Sequence, residues 1–114
     1  MSDIDGILAA LADPTRRRVV ELLGKRPHRA GELATLLGLS APAMSRHLKL
    51  LRGGGLVEED HVGEDARVRT YRLRHEPVHK LRRWSEDVER FWTAQLGAFK
   101  KHAEQSRSKR RAGE

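Results

Sequence analysis

The hydrophobic positions at the start of the chain recur at helical spacing. They occupy the i, i+3, i+4 and i+7 positions of one face, and they are Ile4, Ile7, Leu8 and Leu11. This stripe predicts an amphipathic helix over residues 4–11. Asp13 and Pro14 predict the start of a second helix, with the aspartate as N-cap and the proline as first helical residue. Gly24 is expected to end that helix.

The next segment predicts two short helices joined by a tight turn. The first covers residues 30–37 and is closed by Gly38, and the second is capped by Ser40 and stops at the glycines of 53–55. Apolar residues of both would form a small shared core: Leu33, Leu37, Leu39, Met44, Leu48 and Leu51. This pattern is typical of a helix-turn-helix.

The apolar spacing changes after the glycines. Residues 56–57 and 68–73 are short β-type runs around a polar turn at 63–66, which predicts a hairpin with a charged tip. Helical spacing returns over residues 77–103, which predicts a long helix with an apolar stripe that contains both tryptophans and both phenylalanines within its length. A small domain has little core left to cover that stripe, so a helix from a second copy is its simplest cover.

The second helix of the helix-turn-helix has two chemically distinct faces. Its outward stripe has no carboxylate and consists of Pro42, Ser45, Arg46 and Lys49. In a major groove, Arg46 and Ser45 would read base edges, while Lys49, Ser40 and Arg52 would hold the DNA backbone. A solvated cationic face is the alternative for this stripe alone, but the turn and the hairpin favour DNA binding. His47 lies on the apolar stripe, where a partly buried structural role is expected and a phosphate contact is the alternative.

The predicted hairpin would act as a wing beside the DNA. Arg67 and Arg69 near its tip could reach a phosphate or the minor groove. The hairpin also contains five acidic residues, so charge pairing between the strands is the alternative for these arginines.

Length and composition narrow the class of protein. The chain has 114 residues, no cysteine and a formal net charge of +7. We expect one domain over residues 1–103 and a basic, disordered tail over 104–114. The chain has no basic, apolar leader at its N-terminus and no membrane-length apolar run, so a cytoplasmic, nucleoid-associated protein is expected.

Three segments resemble the ArsR-type winged-helix transcriptional regulators: LADPTRRRVVELL, RAGELATLLGLSAPAMSRHLKLLRGGGLV and RTYRL. The resemblance implies a mainly α fold with a small β-hairpin wing, a recognition helix over 40–52 and a wing over 56–74. It also implies a homodimer formed by the first and last helices. The interface residues would be Ile4, Ile7, Leu8, Leu11, Val88, Phe91, Trp92, Leu96 and Phe99. The implied activity is binding of a palindromic DNA operator, usually as a repressor and often of the regulator's own operon.

The sequence departs from the metal-sensing members of that family. Residues 32–36 hold no cysteine where one family pattern has them, and the last helix lacks the matching ligand spacing. We therefore expect no metal, cofactor or catalytic activity, and no effector can be named. His75 and His79 spell a zinc-protease motif, but Pro77 between them is expected to start the helix and leave His75 outside it. A metal-responsive sensor and a protein-interaction module that binds an acidic partner remain as alternatives.

Overall fold

The computed structural model describes residues 3–60 and 69–112, with side chains to residue 107. The helices are α1 (Asp3–Leu11), α2 (Pro14–Lys25), α3 (Ala30–Leu37), α4 (Ala41–Gly53) and α5 (His75–Ala112). The strands are β1 (His28–Arg29), β2 (Val57–Asp60) and β3 (Thr70–Leu73). The mainly helical fold with a small sheet is confirmed. The predicted hairpin turn at 63–66 lies outside the described residues.

The three strands form one antiparallel sheet in the order β1-β3-β2. In β2 and β3, Val57 faces Leu73 and Asp60 faces Thr70. This antiparallel pairing agrees with the predicted hairpin, but its register was not predicted and β2 extends to Asp60. Strand β1 was not predicted, and it pairs His28 with Tyr71. His28 is buried, and its Nδ1 lies 2.8 Å from the carbonyl oxygen of Arg26, so the imidazole is not left without a partner.

The core of the first 81 residues comes from every helix and from the sheet. Its most buried large side chains are Ile7, Val19, Leu33, Met44, Leu48, Leu51 and Leu56. Four of these belong to the predicted core of the helix-turn-helix, which therefore packs as the hydrophobic pattern indicated. Pro77 and Tyr71 are also buried against this part of the chain.

Three predicted helix boundaries are wrong, namely the end of α2 and both ends of α5. Helix α2 continues through Gly24 to Lys25, and the backbone N–H of Arg26 donates to the carbonyl oxygen of Leu22. Helix α5 begins at His75 rather than at residue 77, because a proline in the first turn removes an N–H that has no helical partner anyway.

The expected disordered tail is also corrected, since residues 104–112 are helical. Lysine, arginine, alanine, glutamate and glutamine favour helix, and no Gly or Pro stands between residues 98 and 112.

The chain divides into two compact units, residues 1–81 and 82–114. The second unit is the remainder of α5. Its apolar stripe is open to solvent: Phe91, Trp92 and Phe99 are 68%, 62% and 72% exposed. None of the helices in the described part of the chain is long and apolar enough to cross a membrane.

Candidate nucleic-acid interface

The turn between α3 and α4 is fixed by two residues. Gly38 has φ = 65°, a left-handed conformation in which a side chain would be strained, and its N–H donates to carbonyl oxygens of α3. Ser40 then caps α4, since its Oγ accepts the backbone N–H of Ala43 at 3.2 Å. Both predicted capping roles are confirmed, and together they set the direction in which α4 leaves the turn.

Helix α4 buries one face and exposes the other. Met44, Leu48 and Leu51 are at most 1% exposed. The opposite face consists of exposed residues, namely Pro42, Ser45, Arg46 and Lys49. The helix therefore presents a hydroxyl, a guanidinium and an ammonium to solvent, and no carboxylate lies among them. These are the groups that hydrogen-bond base edges and phosphates in a major groove.

The end of α4 is packed tightly against α1 at Gly54. A Cβ built on Gly54 would lie 3.0 Å from Ala10 Cβ and 3.2 Å from the carbonyl oxygen of Gly6. A side chain there would require α1 to shift by a few tenths of an ångström. Gly54 therefore allows α4 to end in close contact with α1, whereas the sequence alone indicated only that the glycines end the helix.

Two arginines of α2 hold the C-terminal end of α1. The Arg16 Nε donates to the carbonyl oxygen of Ala10 at 2.6 Å, and Arg17 Nη1 donates to that of Leu11 at 2.8 Å. Carbonyls at a helix C-terminus have no helical partner and attract cations. The Arg16 Nη1 also lies 3.5 Å from Nδ1 of half-buried His47, which agrees with the structural role expected for that histidine. Sequence reasoning missed this link between α2 and α4.

Asp13 places those arginines by capping α2. Its Oδ1 accepts the backbone N–H of Thr15 at 2.8 Å and of Arg16 at 3.1 Å. These hydrogen bonds, that of Arg16 first, hold the pKa of the Asp13 carboxyl below its ordinary value of 3.8. The cap is therefore ionised, and strongest, at neutral pH.

Glu59 joins the end of α4 to the sheet. Its carboxylate lies 3.0 Å from Arg52 Nη1 and 3.4 Å from Arg69 Nε. Two arginines that we expected at the DNA backbone therefore share one acidic partner in the free protein. Sequence reasoning counted Glu59 only as one of the acidic residues of the wing. The pairing depends on strand register, which no local motif reports.

In the described part of the wing, arginines form ion pairs between the strands, which was the alternative to DNA contact. Besides the pair of Arg69 with Glu59, Arg72 pairs with Glu58 and also with Asp60, at 3.0 Å from the latter. Arg67, the second predicted wing contact, lies outside the described residues. The base of the wing is thus held by ion pairs across β2 and β3.

The predicted dimer residues of α1 differ in exposure. Leu8 is 38% exposed, and Ile4 and Leu11 are half-buried. Ile7 is only 2% exposed, so its place in a dimer interface is corrected: it packs into the core of its own subunit. The predicted residues of α5 are all exposed: Val88, Phe91, Trp92, Leu96 and Phe99.

Histidine and acidic side chains are the candidate metal ligands in this chain, which has no cysteine. Within residues 3–60 and 69–112, no three of these side chains are grouped so as to hold a metal ion. The expectation that His75 falls before the last helix is wrong, because α5 begins at that residue.

Comparison with known proteins matches this chain to DNA-binding regulators. A family model described as a helix-turn-helix domain matches residues 11–60. The HTH-type transcriptional regulator Rv2034 of Mycobacterium tuberculosis is 42% identical over 90 residues, which is 79% of this chain and 78% of that protein. An ArsR-like transcriptional regulator from Rhodococcus sp. RHA1 superposes with a TM-score of 0.78 at 35% identity, over 90% of this chain and 92% of that chain. The homodimeric winged helix-turn-helix DNA-binding domain of Mb0332 from Mycobacterium bovis gives a TM-score of 0.61 at 28% identity, over 76% and 78%.

Helix-turn-helix, exposed basic face and adjoining antiparallel strands define a winged helix-turn-helix transcriptional regulator. With 42% identity to a regulator of which it covers 78%, and with ArsR-like structural neighbours, the chain belongs to the ArsR family of these regulators.

Proposed function

We propose that the protein is a homodimeric repressor that binds a palindromic operator through α4. The observation that carries the proposal is the exposed face of α4, which bears Ser45, Arg46 and Lys49 and is held rigidly by its buried opposite face. Arg46 and Ser45 read base edges beside Pro42, while Lys49 and Ser40 contact phosphates. The protein acts in the cytoplasm on chromosomal DNA, and its membership of a family of transcriptional regulators supports this proposal.

The wing and the end of α4 contribute backbone contacts in this proposal. Arg52 and Arg69 exchange part of their interaction with Glu59 for phosphate oxygens when DNA is bound, and Arg67 contributes a further cationic contact. Such an exchange needs no large movement, because both arginines are more than half exposed.

The exposed stripe of α5 supports the dimer. Large apolar side chains at 49–72% exposure are costly in water, and a second copy would cover them with the same stripe. Leu8, Ile4 and Leu11 of α1 contribute further apolar surface. A two-fold dimer presents two copies of α4, so the operator has two half-sites about 10–10.5 bp apart, centre to centre.

The test is a titration of the full chain on two duplexes over a series of salt concentrations. One duplex carries an inverted repeat selected by a search of the DNA immediately upstream of the gene, and the other carries the same bases scrambled. We expect tighter binding of the inverted repeat, by a factor of about 10³ or more, and a steep loss of affinity with salt. Equal binding of both duplexes would contradict sequence reading, and absence of binding to either would favour a module that binds an acidic protein instead.

A further inference from the structure

A cleft of about 350 Å³ opens between α1 and α4, within the first compact unit. We name it the α1–α4 cleft. Its walls are small or apolar: Gly6, Ala9, Ala10, Leu50, Gly53 and Gly54. Two cations, Arg16 and Lys49, also line it. The volume falls within the range of small-molecule sites.

Two of the three glycines that line the cleft leave room for a side chain. A Cβ built on Gly6, inside α1, or on Gly53, the last residue of α4, would meet no atom within 4 Å. Glycine is unfavourable inside helices, so a side chain would be expected at such open positions. Gly54 differs, because its Cβ would lie 3.0 Å from Ala10 Cβ. Gly6 and Gly53 therefore leave space that the contacts of the subunit itself do not need.

The charges of the cleft have one sign. The Arg16 guanidinium is fixed by hydrogen bonds to two carbonyl oxygens of α1, at 2.6 and 3.3 Å, which orient its charge without neutralising it. Lys49 is exposed and makes no hydrogen bond or ion pair with the residues that the structure describes. No carboxylate lines the described walls. Leu50 is 54% exposed beside these cations, so the cleft joins an apolar surface to positive charge.

We propose that the α1–α4 cleft binds a small aliphatic carboxylate and that this ligand releases the operator. The carboxylate would lie between Arg16 and Lys49, and the aliphatic chain would cover Leu50 and the small residues. The release rests on the proposed function, because Lys49 is also assigned to a DNA phosphate. A bound carboxylate occupies that ammonium and brings a negative charge close to the DNA backbone, so ligand and operator compete.

The first experiment tests the cleft without DNA. Sodium octanoate is titrated into the full-length protein while the backbone amide resonances of Gly6 and Gly53 are followed by NMR. We expect saturable shifts with a dissociation constant of about 1 mM or tighter. Octanamide has the same chain without the charge, and sodium acetate has the charge without the chain, so both should bind at least about tenfold more weakly. Absence of saturable shifts with octanoate would overturn the proposal.

A matched pair of variants locates the site. Gly6→Leu places a side chain in the open space of the cleft, and leucine favours helix over glycine. Gly97→Leu makes the same change in α5, where a Cβ also meets no atom within 4 Å. Gly6→Leu should lose octanoate binding and keep operator affinity, whereas Gly97→Leu should keep both. Equal octanoate binding by the two variants would overturn the site, as would dissociation of the dimer by Gly6→Leu, since the cleft would then be a subunit contact.

The second experiment measures operator affinity with and without saturating octanoate. We expect a loss of about tenfold in the unmodified protein and none in Gly6→Leu. Unchanged operator affinity in the presence of bound octanoate would overturn the regulatory role. Operator binding without octanoate tests the proposed function separately, and the NMR titration does not depend on its result.

Discussion

Helices α4 and α5 each leave one face uncovered, but the two faces differ in chemistry. The uncovered face of α4 is polar and cationic, with Arg46 and Lys49 in water. The uncovered stripe of α5 is apolar, with Trp92 at 62% and Phe99 at 72% exposure. Exposure to water is favourable for the cationic face of α4 and unfavourable for the apolar stripe of α5. The comparison indicates that α4 binds its partner reversibly and with strong dependence on salt, whereas α5 is covered in the working protein.

Added salt should therefore weaken binding at the face of α4 but not at the stripe of α5. Cation–phosphate contacts weaken steeply as counterions are added, while burial of apolar surface does not weaken.

The apolar stripe of α5 should give the largest single effect. Trp92→Glu removes two exposed tryptophans from each dimer and places two charges in the proposed interface. At about 1.5–3 kcal/mol for each buried side chain, the dimer should be weakened by roughly 3–6 kcal/mol, a factor of at least about 100. Sedimentation equilibrium measures the dissociation constant.

Thr93→Glu is the control for this variant. It adds the same charge at the neighbouring position, about 100° further round the helix and away from the stripe. The control should remain dimeric. Equal weakening by both variants, or by neither, would place the dimer contact elsewhere.

The cationic face of α4 should give the next largest effect. Arg46→Ala should cost roughly 1–3 kcal/mol of operator binding and reduce the preference for the operator over its scrambled sequence. Lys49→Ala should weaken binding to both sequences alike, because phosphates carry no sequence information. Anisotropy titrations with the two duplexes measure both constants. Equal losses on both duplexes for Arg46→Ala would remove base reading from its role, and either variant should remain a dimer.

The pairing of Glu59 predicts a smaller effect of opposite sign. Glu59→Gln retains the shape of the side chain but removes the charge that Arg52 and Arg69 share. Both arginines then become available to phosphates, so binding should strengthen by about 1 kcal/mol or less on either duplex. The same titrations measure it, and Glu58→Gln, which changes a neighbouring pair, is the matched comparison. Weaker binding by Glu59→Gln would show that the ion pairs position the arginines rather than occupy them.

Acid should lower the stability of the folded protein through the N-cap residue Asp13. Its pKa is lowered in the folded protein, so the cap contributes stability above the ordinary value of 3.8, and this contribution is lost as the pH falls through the folded pKa. Asp13→Ser retains a capping oxygen that does not titrate at these pH values. Denaturant unfolding from pH 6 to about pH 3 should show a smaller loss of stability for Asp13→Ser than for the unmodified protein. Identical pH profiles would contradict this role.

Local chemistry made part of the fold predictable. Asp13, Gly38 and Ser40 act on their own backbone neighbours, so their capping roles follow from residue type and position. The two faces of α4 were predictable for the same reason, since helical periodicity alone separates Arg46 from Leu48.

Features that depend on distant residues were not predictable. Strand β1 is two residues long and exists because His28 and Arg29 pair with Tyr71 and Thr70. Periodicity placed Ile7 on an apolar face without distinguishing the core of its own subunit from a partner surface. The ion pairs of Glu59 depend on the register of β2 with β3, which the sequence did not indicate. The full length of α5 was not predicted because the polar composition of the tail was given more weight than its helix propensity.

The short strand β1 has a mechanical consequence. Helix α3 begins directly after β1, and the N–H of Ala30 donates to the carbonyl oxygen of Arg69 at 3.3 Å, while α4 leads through Leu56 into β2 on the other side of the same central strand. The start of α3 and the strand that follows α4 are thus both joined to β3. A displacement of β3 is therefore transmitted to the start of α3 and to the strand that follows α4 at the same time.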